Sequence, residues 1–264
     1  MTLSMKKRVP LAAAAIAVVA LIVVFYPRAP EHPVLRLYAG AGLRLAVEKL
    51  VTAFALDTGV KVEADYGGSG LILARAGEDK DADLFLPGDA WYVDRLQTRC
   101  HNVADRVVVA SFVPTIIVAK GNPKGVRGLA DLARPEVRVG LGKAEACQIG
   151  RVSVTILAKA GVDVAALKAQ ESLTVNELGV WVKMKAVDAA IVWDAIAANL
   201  ADDVEIIAIP PAQNVVSDVV LAHLTTSRHP DAARQFLAFV SGPRGQQILR
   251  DTGYRVAVRP PSGG

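Results

Sequence analysis

Cysteine is scarce. Cys100 and Cys147 are the only two in 264 residues, which excludes a disulfide-stapled scaffold and leaves no ligand spacing for structural zinc. The two thiols could bridge in an oxidising compartment or serve as small apolar side chains, and both readings stay open. Histidine is nearly as rare: His32, His101, His223 and His229 fall in a linker or near the ends of expected elements, where solvated surface is the plain reading. No H-E-x-x-H, P-loop or zinc pattern occurs, and clustered Tyr, His and carboxylate ligands for a metal cation are wanting. The nucleophile elbow G-x-S-x-G is absent too, because Gly67-Gly68-Ser69-Gly70 runs into Leu71. A hydrolase or transferase built on Ser69 would also lack a placed histidine, so no enzyme, no cofactor and no bound cation are expected.

Long apolar runs are limited to one. Val9 to Tyr26 is 18 residues without a charge, preceded by Lys6-Lys7-Arg8 and followed by the proline-rich stretch Pro27 to Pro33. Residues 1–33 therefore read as a signal or anchor segment, with a cytoplasmic N-terminus and the rest of the chain periplasmic or otherwise extracytoplasmic. No small-x-small cleavage pattern follows the run and no cysteine offers a lipid site, so cleaved signal and uncleaved anchor, with membrane contact through residues 9–26, both stand. Setting that segment aside removes Lys6, Lys7, Arg8 and Arg28 on one side and Glu31 on the other. The formal charge drops from +4 to +1, so the body has no electrostatic footprint for nucleic acid.

With 52% hydrophobic and 21% charged residues, the body can bury a core. A strand from Val34 leads through Ala39-Gly40-Ala41-Gly42 into a helix whose apolar stripe is Leu43, Ala46, Val47, Leu50 and Phe54. Val60 to Ala64 repeats the unit through Gly67-Gly68-Ser69-Gly70, and Asp83 to Leu86 precedes a third helix, Ala90 to Arg99. Two β-rich runs, Val107 to Val113 and Thr115 to Ala119, then break the rhythm. A second set follows: strand Val137 to Leu141, helix Val152 to Ala160, helix Asn176 to Lys185, strand Asp188 to Trp193, helix Ala195 to Leu200 and strand Val204 to Ile209. After Pro210-Pro211 come strand Val215 to His223 and helices Asp231 to Val240 and Gly245 to Asp251. Alternation of this kind predicts an α/β protein of two lobes, each a mainly parallel sheet flanked by helices. Residues 34–112 with 213–264 would form lobe I and 113–212 lobe II, with a hinge crossed twice and a cleft between. Such a cleft needs no second copy of the chain, so a monomer is expected.

Four places deliver the chain into a helix: Gly40 to Gly42, Gly67 to Gly70, Cys147 to Gly150, and Thr174-Val175. Helix N-termini carry unpaired N–H groups and partial positive charge, so several converging on one cleft make an anion site without Lys or Arg. Singly, each turn is what any α/β protein contains.

The order Leu37-Tyr38-Ala39-Gly40-Ala41-Gly42-Leu43, Thr58-Gly59-Val60-Lys61-Val62, Gly68-Ser69-Gly70, Ala82-Asp83-Leu84-Phe85, Val187 to Trp193 and Gly253-Tyr254 resembles the periplasmic molybdate/tungstate-binding proteins of ABC importers, type II solute-binding proteins, over nearly all of residues 34–258. The resemblance implies two lobes closing over a tetrahedral oxyanion held by neutral donors, and delivery to the transmembrane subunits of an ABC permease. By position, Ser69 matches a hydroxyl donor, while Ile149 and Val175 match two backbone donors. Two departures stand out: Gly42 falls where a first serine would be, and Trp193 where a tyrosine would be. Gly68, Cys147, Gln148 and Asp194 are further candidates, Asp194 as a group that could repel an anion or accept from a protonated phosphate. A membrane-anchored oxyanion sensor, or a receptor for phosphate or sulfate, remains the alternative.

Overall fold

Strand β1 (Val34–Gly40) passes through a 3-10 turn, Ala41–Leu43, into α1 (Arg44–Thr58). The buried face of α1 is Ala46, Val47, Leu50 and Phe54, as the spacing predicts, and Gly59 ends the helix at φ 75°, a left-handed position that glycine adopts without strain. The unit repeats as β2 (Lys61–Gly67) with α2 (Ser69–Glu78), and β3 (Leu84–Leu86) with α3 (Ala90–Cys100). Next come β4 (Val103–Phe112) and β5 (Pro114–Ala119), separated by Val113 alone. Then follow β6 (Val139–Gly142), α4 (Gln148–Lys159), β7 (Gln170–Ser172), α5 (Val175–Lys183), β8 (Ala189–Trp193), α6 (Asp194–Ala198) and β9 (Val204–Ala208). The last elements are β10 (Ser217–Leu224), α7 (Pro230–Ser241), α8 (Pro243–Asp251) and β11 (Arg255–Val256).

The computed structural model describes residues 33–256. The apolar run Val9 to Tyr26, and with it the signal or anchor expectation, lies outside the described residues. Among the described residues no helix is long and apolar enough to cross a membrane.

Two sheets form, in the orders β11-β4-β10-β3-β1-β2 and β7-β6-β8-β5-β9. Both are mixed. The parallel pairs expected from the alternation appear where β1 joins β2 and β3, and where β6 joins β7 and β8. Antiparallel pairs involve β4, β5, β10 and β11. The strands that carry the chain between sheets have no crossover helix, so they need not run parallel to their neighbours. The chain passes from the first sheet to the second at Val113 and returns between Ala208 and Ser217. Strands β7 and β11 went unforeseen: Gln170-Glu171-Ser172 and Arg255-Val256 are too short for an alternating pattern to register.

Parallel pairing fixes where a ligand can sit. Gly40 of β1 lies in register with Gly67 of β2, and β3, β6, β7 and β8 end on the same cleft, so all their following turns open there.

The structure corrects the surface placement of His223. This residue is 3% exposed on β10, and neither ring nitrogen finds a hydrogen-bond partner among the described residues. Desolvation, with Arg234 adding to it, holds its pKa below the usual 6.5 against the opposing pull of Asp105 and Asp83. An unfolded chain therefore takes the proton first as pH falls below about 6.5, and stability drops in that window. In urea titrations, His223→Phe should flatten that acid-side loss, leaving the carboxylate-driven loss at lower pH in place.

Candidate functional site

A small cavity opens where the strand ends of the two sheets meet. The first sheet's side supplies Gly40 to Leu43, Gly67 to Ser69, Gly88 and Phe112; the second supplies Cys147 to Ile149, Thr174, Val175 and Trp193. No charged side chain lines it. The space open to the centres of water-sized atoms is about 20 Å3. One buried water needs roughly 10–15 Å3, whereas drug-sized ligands occupy about 300–1,000 Å3, so the cavity suits a few oxygen-sized atoms and no organic solute of ordinary size.

Three helices begin on this cavity, and none has a side-chain cap. The N-caps are Gly68 for α2, Cys147 for α4 and Thr174 for α5. Among the described residues, the backbone N–H groups of Ser69, Gln148, Ile149 and Val175 have no acceptor. All four residues are buried, between 1% and 6% exposed. Buried helix starts without partners call for a ligand that accepts hydrogen bonds, and the aligned peptide dipoles favour negative charge on it. By contrast α3, which begins beside the cavity, is capped by Asp89, whose carboxylate accepts from Trp91 N at 2.8 Å.

Ser69 stands at the first turn of α2, 4% exposed, and its Oγ accepts from Gly88 N at 3.1 Å. That bond occupies an acceptor lone pair and leaves the hydroxyl hydrogen free to donate. Trp193 stacks on Phe112 with ring centroids 4.6 Å apart and planes 5° from parallel. Its side chain is 3% exposed and its indole N–H, a donor only, has no partner among the described residues.

The departures at Gly42 and Trp193 have a shared steric cause. A Cβ at Gly42 would lie 2.9 Å from Val175 Cγ1, 3.3 Å from Trp193 Cδ1 and 3.6 Å from Trp193 Nε1. The indole and the valine methyl fill the room that a first-turn side chain would take. Tyr254, held neutral by burial, donates its hydroxyl to the carbonyl oxygen of Gly42 and so fixes that peptide from behind.

Gly68 and Gly70 show how closely the halves meet. A Cβ at Gly68 would lie 2.4 Å from Ala146 O and 2.6 Å from Leu173 O, and one at Gly70 2.3 Å from Glu145 O. Gly70 N donates to Ala146 O at 3.0 Å across the same junction. Turns of the two sheets are thus in direct backbone contact beside the cavity.

Of the candidates read from sequence, Gly42, Gly68, Ser69, Cys147, Gln148, Ile149, Val175 and Trp193 line one cavity, and Asp194 does not. The Asp194 carboxylate is spoken for elsewhere: it accepts from Val113 N at 3.3 Å and Ala195 N at 3.0 Å and pairs with Arg255 Nε at 2.7 Å. It can neither repel an anion in the cavity at contact distance nor accept from one. Cys147 is buried and Cys100 exposed, both free, so no disulfide joins them. Burial pushes the Cys147 thiol up to about 11, which keeps a negative thiolate out of the cavity at neutral pH. Gly88 and Phe112 were missed. Gly88 had a usable signal, since Pro87-Gly88-Asp89 is one more strand-to-helix turn, whereas Phe112 enters only through its stack on Trp193.

Comparison with known proteins agrees with this geometry. The profile of the family described as bacterial extracellular solute-binding protein matches residues 35–255. A Haemophilus influenzae protein named only as a binding protein is 33% identical over 225 residues, 83% of this chain and 90% of its own length. The Mycobacterium bovis molybdate-binding protein ModA is 28% identical over 222 residues, 82% of each chain. Among solved structures, the sulfate-binding protein SubI of Mycobacterium tuberculosis H37Rv superposes with a TM-score of 0.76 at 24% identity, covering 86% of this chain and 88% of its own, a likeness of fold.

Proposed function

The chain belongs to the bacterial extracellular solute-binding proteins, extracytoplasmic receptors rather than enzymes that serve ABC importers, and we propose that its solute is a tetrahedral oxyanion, molybdate or tungstate. The observation that carries this reading is a small, uncharged cavity into which three uncapped helix starts, one serine hydroxyl and one indole N–H bring unpaired donors. Among the described residues, 34–112 with 213–256 and 113–212 serve as the closing lobes. In support, the first sheet draws its strands from 34–112 and 217–256 and the second from 114–208. A relative at 28% identity named for molybdate points the same way.

Neutral donors suffice energetically. Hydrogen bonds to a charged group contribute about 1.5–3 kcal/mol each, so about six give roughly 9–18 kcal/mol before ordering costs. A micromolar to nanomolar dissociation constant requires only about 8–12 kcal/mol. Phosphate at neutral pH keeps at least one hydrogen that needs an acceptor. One Ser69 lone pair is held by Gly88 and the Asp194 carboxylate by Arg255, which leaves Gln148 Oε1, buried without a partner among the described residues, as the main side-chain acceptor for that hydrogen, so phosphate should bind more weakly than molybdate.

Titration calorimetry of the purified protein with molybdate, tungstate, sulfate and phosphate tests the proposal. Tighter binding is expected for molybdate and tungstate than for phosphate. Preference for sulfate would move the reading to the solute named for the SubI structure, and silence with all four would overturn it. Ser69→Ala should weaken the binding seen by about 1–3 kcal/mol through the lost donor, and an unchanged affinity would remove Ser69 from the site.

A further inference from the structure

At the rim of the cavity a second set of contacts crosses between the lobes, and of its members only Gln148 also lines the solute space. The first turn of α4 carries Gln148, and three residues on, Arg151; opposite stand Asp89, Trp91 and Tyr92 at the start of α3. Gln148 Nε2 donates to Asp89 Oδ2 at 2.9 Å and to Ser217 Oγ at 3.2 Å. The Arg151 guanidinium lies 3.7 Å above the Trp91 ring centroid and 5.7 Å from that of Tyr92. Arg95, from α3 itself, approaches the same indole at 5.4 Å.

Neither Arg151 nor Trp91 is needed to anchor its own helix. Helix α3 is held by Tyr92, Val93 and Leu96, and α4 by Ile149, Val152, Ile156 and Leu157, while Trp91 stays 40% exposed. Arg151 pairs with no carboxylate among the described residues, and one of its terminal nitrogens is buried without a partner. Its main partner is an aromatic face supplied by the other lobe. A planar guanidinium suits that role, since it stacks on a ring where an ammonium does not.

We infer that Arg151 on Trp91 and the Gln148 side chain on Asp89 form a latch that holds the closed lobes together and thereby sets how long the solute stays. This rests on the reading of the cavity as a solute site that opens and closes. Arg151 is a positioning residue, since it does not line the cavity. Its contact exists only between closed lobes, so its loss speeds release. Because the latch favours closure with or without solute, its loss also leaves more of the solute-free protein open and does not slow encounter.

Stopped-flow binding of molybdate to the wild type, Arg151→Lys, Trp91→Leu and the double variant tests this. Arg151→Lys keeps the charge and loses the stack. Each single variant should release the anion about five- to tenfold faster with the association rate unchanged or higher, and the double variant should be little worse than either single one. The melting temperature without solute should stay within a degree or two. Unchanged release rates, additive effects, or a change confined to association would overturn the latch, as would a lowered solute-free melting temperature that accounts for the loss. If no anion in the panel binds, the oxyanion reading falls by itself. The latch is then judged by small-angle scattering without solute, where the double variant should have the larger radius of gyration and equal radii would overturn it.

Discussion

Gly70→Ala is expected to weaken solute binding by about 100-fold or more while leaving the unliganded protein as stable as before. The added methyl would sit 2.3 Å from Glu145 O and 3.2 Å from Ala146 O. Those atoms are backbone of the opposite lobe and cannot swing aside like the end of a side chain. Overpacking of this kind costs about 1–3 kcal/mol or more, and about 3 kcal/mol placed wholly on the closed form corresponds to about 100-fold in affinity. In the open form the same methyl meets nothing from the other lobe, and alanine in the first turn of a helix is favourable. Calorimetry and thermal melts on the same samples read both halves of the expectation. Binding at the wild-type level would mean that solute can be held without this closure.

Trp193→Phe should cost about 10- to 100-fold in affinity, the loss of one donor to a charged group. The ring that stacks on Phe112 is kept, so the change isolates the indole N–H. Gly42→Ser alone should fare no better, because its Cβ would meet Val175 Cγ1 at 2.9 Å and the indole at 3.3 Å. Combined with Trp193→Tyr, however, Gly42→Ser should recover much of the loss, since removing the larger ring frees the space and the serine returns a hydroxyl donor. Loss in the double variant equal to the sum of the single losses would separate the two positions and leave Gly42 as a passive gap.

Much of the fold was legible in the chain. The apolar stripe of α1 and the glycine turns after β1 and β2 follow from spacing, because helix and strand periods are imposed locally. The start of α4 was less so. The apolar pattern begins at Val152, yet the helix begins at Gln148, since the first turn is held by Gly150 packing against Gly142 rather than by its own periodicity. Ser69, Ile149 and Val175 could be named from resemblance and from their positions after turns. The fate of Asp194 could not, because its partners Val113 and Arg255 are remote in sequence.

By itself, the amino-acid order determined the α/β alternation, the places where strands feed helices, and the lack of charged side chains at those turns. These are local properties of composition and period. Tertiary structure alone decided that the helix starts from two sheets share one small cavity, that an indole and a valine methyl occupy the room beside Gly42, and that Arg151 finds Trp91 across the rim. Each depends on atoms far apart along the chain, which only the packing of one lobe against the other brings within a few ångströms.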